Sequence, residues 1–439
     1  MSLVELKSKI ETKEAKIGVI GLGYVGLPVA CMFAQAGFAV TGVDIKDSRV
    51  ALINEGVSPI EGEEPGLATL LAEVVANGHL RATTDYGQLT LADVVLIDVE
   101  TPVGDDNRPN YGALQAACRS LGAVMSKAAL VIVESTIAPG TIQDVVQPLL
   151  EESSGWNLNE DFYLGACPER VMPGKLLQNL CTMSRVCGGS TPETAAIMTV
   201  LYRHIVTADL DTADPLTAEM VKTTENAYRD VQIAFANEVA LICETVGADV
   251  WRVRELVNKS PYRQMHMPGA GVGGHCIPKD PWLLAYGVHG QRPLHLIPTA
   301  RAVNDGMPVH MAQRVTEVLA KVNIPIHEAK IAVLGYAYLE NSDDTRNSPS
   351  AVLTNYLRDQ GAEVVIHDPW VAEYQGDLFE KVKGCDAAIV MVAHQAYKGI
   401  DLAELREVMG EGVLVDGRHL FVMDDARKAG LHYYCVGQG

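Results

Sequence analysis

Short apolar runs, each stopped by glycine, aspartate or proline, recur through the first half of the chain and again near its end. Ile17-Gly18-Val19-Ile20 leads straight into Gly21-Leu22-Gly23-Tyr24-Val25-Gly26, and a helical pattern follows through Phe33. Ala39-Val40-Thr41-Gly42-Val43 ends at Asp44, and further apolar runs fall at 94–99, 130–133 and 162–166. Helix-like segments separate them, and strand and helix in alternation predict a parallel, doubly wound sheet. From 217 to 244 the period changes. Val221, Thr224, Val231, Phe235, Val239 and Ile242 recur at helical spacing with no internal Gly or Pro. One helix of that length would span about 42 Å. This exceeds an ordinary domain helix and predicts a spine between domains or an oligomer interface.

Strand-helix alternation then returns. Residues 330–335 resemble the first strand and turn, 364–369 resemble the second strand with its terminal acid Asp368, and 387–392 and 413–416 supply two more strands. Gly335-Tyr336-Ala337-Tyr338 stands where a second GxGxxG would be, so this half is not expected to hold a dinucleotide in the usual way. The predicted class is α/β: two Rossmann-like doubly wound domains joined by a long central helix with a helical middle domain. The expected divisions are 1–210, 211–310 and 311–439.

Composition narrows the functions. The 439 residues are 48% hydrophobic, enough for sizeable cores, and the net charge of −20 argues against a nucleic-acid or anionic-membrane surface. The 9 cysteines contain no CxxC pair, which argues against a zinc ribbon or a disulfide framework. The charged first 16 residues carry no apolar segment of a secretion signal, and no run of 18 apolar residues occurs, so a cytoplasmic protein is expected.

The candidate chemistry lies at the ends of the predicted strands. Gly21, Gly23 and Gly26 sit between strand and helix, where they would make the turn, admit a pyrophosphate and let helix and strand pack. Asp44 follows Gly21 by 23 residues. A carboxylate there would bond ribose hydroxyls and repel a 2′-phosphate, so NAD is expected rather than NADP. Ser135-Thr136 and Thr141 follow another strand, which fits ligand contact or plain helix capping. Glu169 and Arg170 follow the next; Glu169 could act as a base or hold a water, or be a solvated loop acid. Lys222 and Asn226 share a helix face and could hold an oxyanion, or simply be solvated. Arg346 could clamp a phosphate or lie in a polar loop. The stretch Pro268-Gly-Ala-Gly-Val-Gly-Gly-His-Cys276-Ile-Pro-Lys-Asp280-Pro281 reads as a shaped loop, neither strand nor helix. It presents Cys276 near His275, Lys279 and Asp280, and a neighbouring cation would favour the thiolate. A nicotinamide cofactor with a nucleophilic cysteine suggests oxidation of an aldehyde adduct to a thioester, which water then cleaves. No GxxxxGK[ST], HExxH, GxSxG or Tyr-x-x-x-Lys occurs.

In order, Gly21-Leu-Gly-Tyr-Val-Gly26, Glu64-Pro-Gly-Leu67, Thr101-Pro102, Ser135-Thr136 with Pro139-Gly-Thr141, Pro168-Glu169, Glu219 to Asn226, Gly273-Gly-His-Cys276 with Lys279-Asp280, and Asp344-Thr-Arg346 resemble the UDP-glucose/GDP-mannose dehydrogenase family over nearly the whole chain. The resemblance implies a four-electron oxidation of a nucleotide-sugar C6 alcohol to a uronic acid with two NAD. By position it implies Cys276 as nucleophile, Lys222 as oxyanion partner, Asn226 orienting the sugar, and Asp280 acting with Lys222 on a water or proton. It also implies Glu169 assisting thioester hydrolysis, with Thr136 holding a water and contacting the cofactor. Cofactor contacts would come from Gly21, Gly23, Tyr24, Val25, Gly26, Asp44, Thr101 and Thr136. Substrate contacts would come from Glu169, Arg170, Lys222, Asn226, Arg263, Gly273, Lys279 and Arg346, with Arg263 reaching a partner subunit. No metal is implied. A homodimer built on the long helix, and a UDP-sugar held by the last domain, follow from the same likeness.

His275, Pro281-Trp282, Arg170 and the run from Thr224 to Asp230 resemble members acting on UDP-N-acetylhexosamines, with UDP-N-acetylmannosamine the nearest substrate. Pro278-Lys279 is closer to the UDP-glucose branch, which keeps UDP-glucose and other UDP-sugars as alternatives. Pro173 and Leu339 stand where relatives carry a second glutamate and a lysine. The first places hydrolytic assistance on Glu169; together they motivate a rival reading as a non-catalytic nucleotide-sugar-binding protein.

Overall fold

The computed structural model describes every residue except Met1, Glu61 and Glu63. By its internal contacts the chain forms two units, 1–225 with 282–292 and 226–281 with 293–439. The first unit is built on a sheet of β1 (Lys16–Ile20), β2 (Ala39–Val43), β3 (Leu80–Thr83), β4 (Val94–Ile97), β5 (Leu130–Val133), β6 (Tyr163–Ala166), β7 (Arg185–Gly189) and β8 (Leu210–Ala213). Its strand order is β3-β2-β1-β4-β5-β6-β7-β8. The order reverses between β1 and β4, the place where such sheets open a crevice at their carboxyl ends. All neighbours run parallel except β6 and β7, which pair antiparallel through Gly165 with Gly189 and Ala166 with Gly188. The sheet expected to be purely parallel therefore carries one reversal. The central strands β4 and β5 are buried at every position, as a sheet covered on both faces requires. Residues 282–292 complete this unit, and Leu283 is fully buried in the same apolar cluster as Ile137, Ala138 and Ile142.

The second unit carries a parallel sheet of β9 (Lys330–Leu334), β10 (Glu363–His367), β11 (Ala387–Val390), β12 (Val413–Asp416) and β13 (His432–Cys435) in the order β10-β9-β11-β12-β13. Here the reversal lies between β9 and β11. The helix Leu296–Lys321 packs its Met311, Ala312, Val315 and Leu319 into the core of this sheet.

The long helix predicted over 217–244 runs Pro215–Val246. Its apolar periodicity serves two faces. Ala236, Ala240 and Cys243 are buried in the second unit's core, whereas Tyr228, Phe235 and Ile242, seven residues apart, are each more than half exposed. Inside the second unit a buried polar knot fixes this helix to Leu296–Lys321. Arg301 Nη1 donates to Asp230 Oδ1 at 2.5 Å, Asn304 Nδ2 donates to the same oxygen at 2.7 Å, and Asn237 Nδ2 donates to Asn304 Oδ1 at 2.8 Å. Arg301 and Asp230 are each 1% exposed. Among the described residues no helix is long and apolar enough to cross a membrane.

Removing one partner of a buried ion pair leaves the other uncompensated. Arg301→Ala is therefore expected to lower the stability of the second unit by roughly 3 kcal/mol, read as a shifted midpoint in chemical denaturation. An unchanged midpoint would show that the knot is not what fixes the two helices.

Candidate active site

In the first unit the strand-turn-helix at β1 shows why three glycines are needed. Gly21 has φ +92, and a Cβ there would collide with the Asp98 carbonyl. A Cβ on Gly26 would overlap the Gly21 carbonyl oxygen and lie 2.9 Å from Asp98 Cβ. A Cβ on Gly23 would meet nothing within 4 Å, so the second glycine borders open space. Tyr24 and Val25 follow it, and no side chain caps the helix Gly26–Gln35. Its first N–H groups and its dipole are thus available to an anion. At the end of β2, Asp44 Oδ2 accepts from Leu22 N–H (3.0 Å) and Arg49 Nη1 (2.9 Å), while among the described residues Oδ1 accepts from Lys46 N–H alone (3.0 Å). Oδ1 retains acceptor capacity for a ribose hydroxyl. These residues fit a dinucleotide: open space at Gly23, an uncapped helix start and an acid with a lone pair to give. Arg49, in the helix after Asp44, was not singled out in the sequence; its signal was a cation five residues past the acid.

The crevice beyond β4, β5 and β6 is lined by side chains fastened to backbone. Ser135 Oγ donates to Val99 O (2.7 Å) and Thr101 Oγ1 donates to Thr136 O (2.6 Å). Thr101 thus lies beside Thr136. Beneath them Glu134 Oε1 accepts from Arg185 Nη1 (2.9 Å) and Tyr202 Oη (2.6 Å), all three buried. Asp98, half-buried, lies against this cluster. Burial of its carboxyl, then the charge of Glu134, pushes its pKa well above the usual range. Glu134, Arg185 and Tyr202 were not read as a site in the sequence, because they lie far apart in the chain.

Two carboxylates pin the start of the long helix to these loops. Glu219 accepts from Gly140 N–H (2.7 Å) and Ile142 N–H (2.8 Å), and burial raises its pKa to about 7. Glu225 receives Arg170 through Nε (2.9 Å) and Nη2, and Arg170 Nη1 donates to Ser184 O. Lys222, 8% exposed, lies three residues from each carboxylate and is held between two anchored turns. Arg170 ties the segment that begins Pro168-Glu169 to the same turn of helix.

The second unit carries the cysteine. Its glycines serve packing against the loop after β9. A Cβ on Gly273 would lie 2.6 Å from Tyr338 Cβ and 2.8 Å from Asn347 O, and one on Gly274 (φ +89) would lie 2.7 Å from the Tyr338 ring. Gly274 N–H donates to Arg346 O (2.9 Å), and Asn347 Nδ2 donates to Gly274 O (3.0 Å). The Asp344-Thr345-Arg346 motif and the cysteine loop are thus brought together. Arg346 Nε lies 3.0 Å from both Asp344 carboxylate oxygens. Arg418, unnoticed in the sequence, donates from Nε to Met391 O (2.6 Å) and from Nη2 to Gly271 O (3.4 Å).

The expectation that the whole stretch is loop requires correction. A helix, Cys276–Tyr286, begins at the cysteine itself. Pro278 falls in its first turn, where a missing N–H is not needed, and Pro281 lies inside it. Cys276 is exposed. One turn on, Asp280 is fully buried, accepts from Asn226 Nδ2 at 2.5 Å and pairs with Lys279 Nζ at 2.9 Å. Burial, then the charges of Lys279 and Arg346, lowers the His275 pKa to about 4. His275 is therefore neutral near pH 7 and is not a cation beside the thiol. Arg263 is exposed, with Nη1 3.3 Å from Tyr262 O.

The last sheet differs from the first at the matching acid. Asp368 Oδ2 accepts from Tyr336 N–H (2.6 Å), Ala337 N–H (2.9 Å) and His394 Nε2 (3.1 Å), and Oδ1 accepts from Trp370 N–H (2.8 Å) and Val371 N–H (3.1 Å). Five donors fill a carboxylate with about four lone-pair sites, so Asp368 has nothing to offer a ribose. Burial alone would raise its pKa, but His394 and the backbone amides hold it below the ordinary value.

A glycine turn between strand and helix, with an acid at the end of the next strand, is the arrangement of a nicotinamide-dependent oxidoreductase. The family models agree. The UDP-glucose/GDP-mannose dehydrogenase family NAD binding domain matches residues 15–206, its central domain 216–306, and its UDP binding domain 332–423. A UDP-N-acetyl-D-mannosamine dehydrogenase of Pyrococcus horikoshii is 40% identical over 405 residues, covering 92% of this chain and 96% of the relative. Among solved structures, UDP-D-ManNAc dehydrogenase from Pyrococcus horikoshii superposes with TM-score 0.91 at 38% identity, over 97% of this chain and 99% of that one. An NDP-N-acetyl-D-galactosaminuronic acid dehydrogenase from Methanosarcina mazei gives 0.88 at 35% identity, over 98% of each chain. The chain belongs to the UDP-glucose/GDP-mannose dehydrogenase family. It is an NAD-dependent UDP-sugar dehydrogenase.

The glycine geometry separates two variants. Gly26→Ala forces overlap with backbone and is expected to destabilise the first unit by about 1–3 kcal/mol. Gly23→Ala should melt like wild type yet bind NAD at least about tenfold more weakly, because its methyl enters the open space a pyrophosphate would fill. Equal NAD affinity of Gly23→Ala and wild type by titration would refute that use of the turn.

Proposed function

We propose that the enzyme oxidises the C6 alcohol of a UDP-N-acetylhexosamine, best UDP-N-acetylmannosamine, to the uronate. The observation that carries this reading is the near full-length similarity to relatives named for that substrate. In this reading residues 1–210 hold NAD, 211–310 supply the central helices and the Cys276 loop, and 311–439 hold the UDP.

The net change consumes the alcohol, two NAD and one water and yields the carboxylate, two NADH and three protons. NAD, when bound, supplies the hydride acceptor for both oxidations. Cys276 Sγ adds to the C6 aldehyde to give a thiohemiacetal, and its oxidation leaves a thioester on sulfur. Lys222 and Asn226 stabilise the C6 oxyanion. Asn226 is oriented by Asp280, which acts with Lys222 on a proton. Glu169, with Thr136, holds the water that cleaves the thioester. Arg170, taken up by Glu225 and Ser184, orders the Glu169 segment, while Gly273, Lys279, Arg346 and the exposed Arg263 serve the substrate. Tyr228, Phe235 and Ile242 present an apolar seam with a seven-residue period, as an association of two long helices would use. The reading therefore includes a homodimer, with Arg263 offered to the second copy, in the cytoplasm. Recovery in the membrane or secreted fraction on cell fractionation would refute that location.

Incubation with NAD and a panel of UDP-sugars should give turnover with an acetamido sugar and two NADH per sugar. Turnover with UDP-glucose alone would overturn the substrate, and one NADH per sugar would overturn the thioester route. Cys276→Ser should stop acid formation by at least about a thousandfold. Tight UDP-sugar binding with no NADH from any sugar would instead support a non-catalytic protein.

The dimer is tested by Phe235→Glu, which places a charge on the seam. Light scattering is expected to give twice the chain mass for wild type and the chain mass for the variant. A wild-type monomer would rule the dimer out.

A further inference from the structure

Glu64 joins two segments that are far apart in sequence. It sits in the turn Glu64-Pro65-Gly66, where Gly66 adopts φ +84 and begins the helix Leu67–Ala76. Leu67 N–H donates to the Glu64 carbonyl at 3.1 Å, so the residue is fixed at its backbone. Its carboxylate then faces both ways. Oε1 accepts from the Tyr24 hydroxyl and from Gly174 N–H (2.8 Å), and Oε2 accepts from Leu176 N–H (3.2 Å).

Tyr24 lies between the second and third glycines of the dinucleotide turn. Gly174 and Leu176 close the segment that starts at Pro168-Glu169. That segment has other anchors among the described residues. Cys167 N–H donates to Val133 O (2.9 Å) at its start, Arg170 is held by Glu225 and Ser184, and Met172 N–H donates to Asn179 Oδ1 (3.0 Å). Between Met172 and Leu176 it passes through Pro173 and Gly174, whose φ is +75. It lies outside any helix or strand until Leu176. Glu64 is the carboxylate that holds this end.

We propose that Glu64 is a positioning residue that couples occupancy of the dinucleotide turn to the order of the segment carrying Glu169. A pyrophosphate bound at the start of the helix Gly26–Gln35 would crowd the neighbouring Tyr24 and restrict its ring. The phenol then holds the Glu64 carboxylate in one rotamer, and that rotamer receives Gly174 and Leu176. Hydrogen bonds to a charged acceptor are the stronger kind, and three converge here. The coupling makes the water-handling carboxylate ready only while NAD is present. Its functional consequence rests on the reading of Glu169 as the group that assists thioester hydrolysis.

The experiment is hydrogen exchange on the full chain with and without NAD, for wild type, Glu64→Gln and Tyr24→Phe. NAD is expected to slow exchange in peptides covering 170–177 by about tenfold in wild type. That slowing should be lost in both variants while exchange in β4 and β5 stays as in wild type, which shows that they are folded. Should Glu64→Gln fail to fold, Tyr24→Phe, which removes one hydroxyl, decides alone. NAD-dependent slowing that persists in the folded variants, or is absent from wild type, overturns the coupling. Rapid quench with mass spectrometry adds the chemical readout. In Glu64→Gln a sugar adduct on Cys276 should accumulate, with hydrolysis slowed about tenfold more than the first oxidation. Equal slowing of both steps overturns the assignment to the Glu169 segment. If wild type forms no acid from any UDP-sugar, the reaction reading fails, and the exchange arm still decides the coupling.

Discussion

A carboxylate offers about four acceptor sites, and the use of those sites at two strand ends divides the labour of the chain. Asp44 and Asp368 occupy the same place, each closing the turn after the first strand of its sheet through backbone amides. Asp44 stops short of saturation, and the turn above it borders the open space at Gly23. Asp368 is filled by four amides and His394. One sheet is thereby left receptive to a ribose and the other is closed to it, although their strand patterns read alike.

The same economy of acceptors orders the residues around the chemistry. Glu219, Glu225 and Glu64 each take two or more donors from segments distant in sequence. They fasten the Pro139-Gly140-Thr141 turn, Arg170 and the 174–176 backbone. Lys222 and Glu169 therefore sit on elements that are anchored on both sides, the rigidity that their proposed roles call for. In the second unit Asn226 and Lys279 fix Asp280, and the loop from Asn341 to Asn347 fixes the backbone before Cys276.

The parts of this arrangement legible in the sequence were those with local signatures. The glycine turn, Asp44, the long helix and the apolar strands β1, β2, β5 and β12 follow from patterns within a few residues. β8 was missed because Leu-Asp-Thr-Ala is a polar edge strand with no buried residue, and β7 because it starts with a buried arginine. The packing of the glycines before Cys276 against Tyr338, Asn347 and Arg418 was not legible. It depends on contacts between residues far apart in the chain, which leave no local pattern. The partners of Glu134 and Glu64 were equally invisible, since ion pairs and hydrogen bonds between distant residues leave no period. Cys276 at the start of a helix was hidden by two prolines whose effect depends on which turn they occupy.

The chain enters the first unit twice, and this bears on how the protein could be divided. Residues 282–292 return to it after a long excursion and bring Leu283 into the apolar cluster with Ile137 and Ile142. A fragment ending at Glu225 would therefore leave a leucine-sized void, a loss of about 2–5 kcal/mol by the measure of core truncations. Any proteolytic or engineered separation that keeps this strip with the first unit would need three cuts, two of them inside helices. For a gene fusion or permutation the usable breakpoints lie in exposed turns, the 292/293 border among them, and not inside the two helices.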